Sequence, residues 1–124
     1  MVGIIKDEFL NNVAQVISES DNTIRWVAVS EEEQTLGTSG GTFVGEEGDR
    51  VQLSSSRVNN FVTFAGLREG SQVPEGESRV FQSAGFFLDE TGGTNKIVIN
   101  LPSIEQTNNF DVQHIFTLGV FRNE

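Results

Sequence analysis

Residues 78–102 read SRVFQSAGFFLDETGGTNKIVINLP, and this stretch decides the fold class. Two runs rich in β-branched and aromatic residues, 78–88 and 96–101, flank a segment of turn-forming residues, 89–94. This pattern predicts a β-hairpin. Gly85 interrupts the first run, which indicates a bulge or a point where another chain segment approaches closely. Pro102 is expected to end the second strand, because proline has no backbone N–H to donate.

The sequence on either side of this hairpin continues the same pattern of short strands and polar turns. Residues 50–56 and 60–65 predict a second hairpin, in which residues 58–60 supply the turn because asparagine tolerates positive φ. The connection 66–77 is expected to be flexible. Further strands are predicted at 23–29 and 110–121. About seven short strands over residues 23–121 are typical of a mainly β protein, an antiparallel β-sandwich.

The N-terminal segment has a different period. Apolar residues recur at three- and four-residue spacing over residues 3–19, which predicts one amphipathic α-helix ahead of the sandwich. The residues expected on its apolar face are Ile5, Phe9, Val13, Val16 and Ile17, widened by Leu10. With only 124 residues, the chain is expected to form a single domain, 1–124.

Residues 30–49 are rich in glycine and glutamate, a composition that favours an irregular loop. Residues 42–44 are expected to add at most a short edge strand. A loop of this length in a compact domain is usually functional or ordered by a partner.

The charge of the chain excludes some classes of function. Eighteen acidic residues face eight basic ones, giving a formal net charge of −10, and the basic residues are scattered singly. Nucleic acid is therefore excluded as a partner, since phosphate binding needs clustered cations. Two interpretations of the acidity stay open: a surface adapted to very high salt, or an ordinary acidic protein. The chain has no cysteine and no apolar run of the length of a signal peptide or membrane span, so a soluble protein without membrane insertion is expected.

Residues able to carry out chemistry are few. His114 is the sole histidine and no serine follows a glycine elbow, so a Ser-His-acid group is not expected and His114 is interpreted as structural or as a surface residue. Loop carboxylates could in principle cleave sugars or bind calcium, but their spacing matches neither motif, and solvated loop charge is the preferred interpretation. These are Glu46, Glu47, Asp49, Asp89 and Glu90. We expect no catalytic, cofactor or metal site, and no enzyme activity.

Several elements occur in an order that resembles a known family. They are the strand 80–87, the turn Gly92-Gly93-Thr94, the apolar strand 97–102 ending in proline, and the alternating strand 112–120. Upstream, residues 24–29 and 60–64 match a first and a middle strand. This order resembles that of small structural proteins of tailed phages and other tailed viruses. Gln82 stands where that family usually has an acid.

The resemblance implies a structural subunit of a tailed-virus virion, most simply a component of the tail fibre, baseplate or adhesin that acts through protein–protein assembly. It implies no catalytic residues. A capsid decoration or turret protein is an alternative, and the acidity suggests a salt-loving host. The expected partners are other virion proteins and copies of the chain itself, with a host surface glycan or receptor left open. The expected location is the virion, assembled in the host cytoplasm.

A rival hypothesis comes from a different class, a carbohydrate-binding or glycan-hydrolysing module. In it, Trp26 and exposed phenylalanines would stack on sugars. The simpler interpretation of Trp26 is core packing, because it alternates with Ile24 and Ala28.

Overall fold

A computed structural model describes residues 3–38 and 42–123. Its secondary structure is one α-helix followed by seven strands, with a short 3-10 helix between the fourth and fifth strands. The elements are α1 (Asp7–Glu19), β1 (Trp26–Ser30), β2 (Val51–Gln52), β3 (Ser54–Val58), β4 (Phe61–Arg68), the 3-10 helix (Gly70–Gln72), β5 (Ser78–Phe87), β6 (Ile97–Thr107) and β7 (Val112–Gly119).

The strands form two antiparallel sheets. One has four strands in the order β2-β1-β5-β6, and the other has three in the order β3-β4-β7. Both predicted hairpins are present, β3–β4 and β5–β6. Asn59 adopts φ 54° in the β3–β4 turn, as its tolerance of positive φ predicts. The predicted β-sandwich with an N-terminal helix is therefore confirmed.

The core lies between the two sheets. Val62 and Phe64 of β4 face Val27 of β1 and Phe86 of β5, and all four side chains are almost inaccessible to solvent. Phe86 also packs against Phe116 of β7, with ring centroids 5.2 Å apart. Burial of each such side chain stabilises the fold by about 1.5–3 kcal/mol, so this layer holds the sheets together.

Helix α1 begins at Asp7, so the predicted start at Gly3 is wrong. Lys6 is extended, and the carbonyl of Ile5 accepts a hydrogen bond from Arg122 instead of from a helical N–H. None of the helices in the described part of the chain has the length and apolar character that a bilayer span requires.

The buried face of α1 also differs from the prediction. The helix packs on β3 and β4 through Leu10 and Ala14, whereas Phe9 and Val16 are exposed. The spacing allowed both faces, because Ile5, Phe9 and Val16 form one apolar stripe and Leu10, Ala14 and Ile17 form another. Contact with the sandwich selects the second stripe.

The predicted strands differ from the observed ones in their bounds, and three of the differences lie between residues 23 and 68. Residues 50–56 do not form one strand but divide at Leu53 into β2 and β3, which belong to different sheets. Leu53, where the chain passes from one sheet to the other, has a buried side chain, and its N–H donates to the Arg25 carbonyl at 2.7 Å. Strand β1 begins at Trp26 rather than at residue 23. Strand β4 continues to Arg68, into the segment predicted to be flexible.

Pro102 does not end β6, which runs on to Thr107. The pairing with β5 is irregular at this point: Phe81 pairs with Ile104 and Ser83 with Asn100, so three residues of β6 lie opposite Gln82 alone. This bulge, on an edge strand, accommodates the missing N–H of proline. The bulge is therefore here and not at Gly85, which is regularly paired with Ala28 and Val98.

Candidate interaction surface

The long loop after β1 is ordered by the protein's own sheet. No strand forms at residues 42–44; the described part of the loop makes one bridge, between Ser30 and Glu46. It lies across the outer face of the four-stranded sheet, where the Phe43 ring meets Phe87 edge-on with centroids 5.9 Å apart. A Cβ on Gly85 would lie 2.8 Å from the Phe43 ring, so glycine is required for this close approach. Residues 39–41 of the predicted loop lie outside the described residues.

Gln34 anchors the loop through its amide. Its Nε2 donates to the Val44 carbonyl at 2.8 Å, and its Oε1 accepts from the Val44 N–H at 2.9 Å. Its backbone exchanges two hydrogen bonds with the side chain of Asn100 on β6. These bonds satisfy polar groups that the loop buries against the sheet.

Arg50 joins the loop to the turn after β5. Its guanidinium lies 3.6 Å from the centroid of the Phe87 ring and forms an ion pair with Glu46 at 3.1 Å. Its Nη1 donates to the carbonyls of Asp89 and Gly92. The structure thus brings together the two acidic segments singled out in the sequence, but an arginine occupies the space between them.

A polar cluster is buried at one end of the core. Arg68, only 1% exposed, donates from Nε to His114 Nε2 at 3.2 Å and from its two Nη atoms to the carbonyls of Asp49 and Val27. Gln106 is also fully buried and donates to the carbonyls of Arg68 and Phe110, while its Oε1 has no protein partner. The cluster connects both sheets and the loop.

Burial, together with the neighbouring Arg68 guanidinium, lowers the pKa of His114 to about 4. His114 is therefore neutral at pH 7 and accepts a hydrogen bond with Nε2. Burial and the charge of Arg79 lower the pKa of Arg68 to about 10, while Asp49 and Glu46 oppose this shift. Because the Arg68 guanidinium donates to groups on both sheets, the cluster acts as an internal cross-link between them.

Within residues 3–38 and 42–123, no three His, Asp or Glu side chains are grouped so that they could hold a metal ion. Glu46 is paired with Arg50, and Glu47, Asp49, Asp89 and Glu90 are exposed. Trp26 is half-buried on the outer face of the four-stranded sheet, since its neighbour Val27 points into the core. It is therefore not a core residue, and it faces away from the exposed Phe61 and Phe121 on the other side of the sandwich.

The outer face of the three-stranded sheet is the most distinctive surface. It consists of the side chains that alternate with the core residues on each strand. They are Ser54, Ser56 and Val58 on β3, Phe61, Thr63, Ala65 and Leu67 on β4, and Gln113, Ile115, Thr117 and Gly119 on β7. We call these residues the three-stranded face. None of them is charged, although 21% of the chain is charged.

Size varies systematically across the three-stranded face. Small residues occupy its middle, where the hydroxyls of Thr63 and Thr117 lie 3.2 Å apart. Larger apolar residues flank this middle: Leu67 lies at one end opposite Gln113, Ile115 pairs with Ala65 one row further in, and Val58 and Phe61 lie at the other end. Leu67 and Ile115 are 50% and 61% exposed. Phe121 extends the second end by packing edge-on against Phe61, with ring centroids 5.4 Å apart. The face combines uncharged polar residues with exposed apolar ones, and in its lack of charge it differs from the acidic loops.

Comparison with protein-family models and with curated protein sequences identified no match to this chain.

Sequence reasoning did not identify the three-stranded face. The signal was present as two alternating rows without charge, 61-63-65-67 and 113-115-117-119. Each row by itself is unremarkable for a strand. Only the pairing of β7 with β4, whose partners are 44 to 58 residues apart in sequence, places the rows side by side.

Proposed function

We propose that this protein is a non-enzymatic structural subunit of a tailed-virus virion that acts through protein–protein assembly. The tail fibre, baseplate or adhesin is the leading position, and a capsid decoration or turret is the alternative. The observation that carries the proposal is the three-stranded face. An uncharged sheet surface with exposed apolar residues suits burial against another protein.

The distribution of charge supports this proposal. The acidic residues lie mostly in loops, and the loop after β1 is already occupied with covering the four-stranded sheet. One broad face of the sandwich is thus closed by the chain itself and the other is left open. A subunit with one free face and a charged remainder is suited to assembly without unspecific aggregation.

The carbohydrate-binding alternative has weaker support. Trp26 lies on the opposite face of the sandwich from the exposed pair Phe61 and Phe121, so the three rings do not form one platform for sugar stacking. The loop carboxylates do not converge on one point in the described residues. Binding on a glycan array, followed by loss of binding in Trp26→Ala, would favour that alternative.

The test is to purify virions of the virus that encodes the chain and to analyse them by mass spectrometry and cryo-electron microscopy. We expect the protein at a fixed copy number, with density for the sandwich in the tail or on the capsid. A location in the tail or on the capsid decides between the two positions. Particles that lack the protein, while infected cells contain it, would overturn the proposal.

A further inference from the structure

We infer that the three-stranded face binds the same face of a second copy of this chain. The inference rests on the proposed assembly function and names the partner surface. Its first support is electrostatic. Each copy carries a formal charge of −10, so two copies repel each other through most of their surfaces. The three-stranded face is where two copies can meet without bringing carboxylates together.

The absence of charge on the three-stranded face also indicates which kind of partner surface it binds. A basic partner would be recognised through carboxylates at the contact, because opposite potentials steer and orient association. The three-stranded face offers no carboxylate among its residues on β3, β4 and β7. Its occupant is therefore expected to be uncharged as well. A second copy supplies a surface with this property and with the same dimensions.

The shape of the face fits sheet-on-sheet packing. Stacked sheets lie about 10 Å apart, and the side chains of the two facing surfaces interdigitate in the space between them. Thr63, Ala65 and Thr117 provide small side chains in the middle. In a two-fold arrangement with the axis across the strands, the Phe61 end of one copy covers the Leu67 end of the other. An interface of this kind is self-complementary, as closed dimers require.

The size of the face sets the expected affinity. The eight residues of β4 and the three strands give a footprint of about 27 Å by 14 Å. This is about half of the ~800 Å² that each partner contributes to a standard interface. We therefore expect a weak dimer, with a Kd of about 10 μM to 1 mM, that is strengthened by salt and by repetition within an assembly.

Cross-linking offers a direct test, because the chain contains no cysteine. Thr63→Cys places one thiol in the middle of the face, and Thr94→Cys places one in the exposed turn after β5 as the matched control. Each full-length variant is treated with a short bismaleimide at about 1 mM protein in 1 M NaCl. We expect a covalent dimer from Thr63→Cys and at least about ten-fold less from Thr94→Cys. Equal yields would overturn the inference.

Sedimentation equilibrium of the unmodified protein provides the second measurement. We expect a monomer–dimer equilibrium that Thr117→Arg weakens at least ten-fold, because it buries an unpaired charge, and that Thr94→Arg leaves unchanged. Equal melting temperatures of the variants show that folding is intact. A monomer at about 1 mM, or an association that persists in Thr117→Arg, overturns the second-copy contact. Neither result bears on the proposed function, which is tested separately and is overturned if virions lack the protein.

Discussion

Arg68 donates a hydrogen bond from Nε to Nε2 of His114 at 3.2 Å, inside a core that excludes solvent from both side chains. The two residues lie on neighbouring strands, β4 and β7. The contact fixes the neutral histidine with Nε2 as acceptor, because a protonated imidazole would have no lone pair to receive the donor. The Arg68 cation is thus buried beside a neutral imidazole, and protonation of that imidazole would break their hydrogen bond.

The first prediction concerns pH. The pKa of His114 is about 4 in the folded protein and about 6.5 in the unfolded chain. Between pH 6.5 and 4, His114 therefore binds a proton in the unfolded state but not in the folded state. This contribution to stability is complete above pH 6.5 and is lost as the pH falls towards 4, by up to about 3 kcal/mol. Urea unfolding at several pH values measures it.

His114→Gln is the matched control for this experiment. Its Oε1 can accept the hydrogen bond from Arg68, and it does not titrate. The carboxylates are common to both proteins, so the difference in slope between pH 6.5 and 4 isolates the histidine. Parallel slopes for the two proteins would contradict the assignment of a buried neutral His114.

The second prediction concerns Arg68 itself. Arg68→Leu removes the donors to the carbonyls of Val27 and Asp49 and to His114. Because two buried acceptors, on Val27 and His114, and the partly buried carbonyl of Asp49 then lose this donor, we expect a loss of about 3 kcal/mol in the free energy of unfolding. Arg57→Leu, at an exposed arginine, should change it by less than about 0.5 kcal/mol. Denaturant titration compares them, and equal losses would show that the cluster is not a cross-link.

The third prediction concerns the loop over the four-stranded sheet. Gly85→Ala forces the Phe43 ring away, since the new Cβ would lie 2.8 Å from it, and we expect a loss of about 1–3 kcal/mol. A glutamate-specific protease should cleave faster at Glu46 and Glu47. Gly37→Ala has open space around its Cβ and should behave as the unmodified protein does. Unchanged cleavage of Gly85→Ala would mean that Phe43 does not hold the loop.

The fourth prediction separates the two apolar stripes of α1. Leu10 is 8% exposed and Phe9 is 58% exposed. Leu10→Ala should cost about 2–4 kcal/mol through the cavity it leaves, whereas Phe9→Ala should cost about 0.5 kcal/mol or less. Thermal melts of the two variants test this. The reverse order would mean that the helix packs through the face first expected from the sequence.

The fifth prediction concerns salt. Eighteen acids repel one another, and the Debye length falls from about 10 Å at 0.1 M salt to about 3 Å at 1 M. We expect the melting temperature to rise by about 4 °C or more between 0.05 and 1 M NaCl, equivalent to about 1 kcal/mol. The rise should be smaller in the double variant Glu31→Gln, Glu33→Gln, which removes two exposed charges. A melting temperature that falls with NaCl would exclude an adaptation to high salt.

The sequence predicted those parts of the fold that depend on local chemistry. Runs in which apolar residues alternate with polar ones predicted the strands, and the tolerance of asparagine for positive φ predicted the turn at Asn59. It failed at element ends where the deciding partner is distant. The start of α1 depends on Arg122 near the other end of the chain, and the passage of β6 through Pro102 depends on a bulge opposite Gln82.

The candidate surface was less accessible to sequence reasoning than the fold. A charge-free row on β4 has no meaning until β7 is placed beside it. Arg68 was not singled out either, because residues 66–77 were expected to form a flexible connection, where an arginine is normally solvated. Its neighbours in the buried cluster, Asp49, His114 and Gln106, come from widely separated parts of the chain.

The sequence by itself determined the fold class of the protein, because the alternation of apolar residues, the turn residues and the charge depend on residues that are close together in sequence. It predicted about seven strands, one helix and an acidic protein, although the division of residues 50–56 into two strands was not foreseen. The tertiary structure decided which stripe of α1 is buried, which sheet face the long loop covers and which face is left open. Each of these depends on contacts between residues far apart in sequence, and the free energy of such contacts exists only once the sheets have packed.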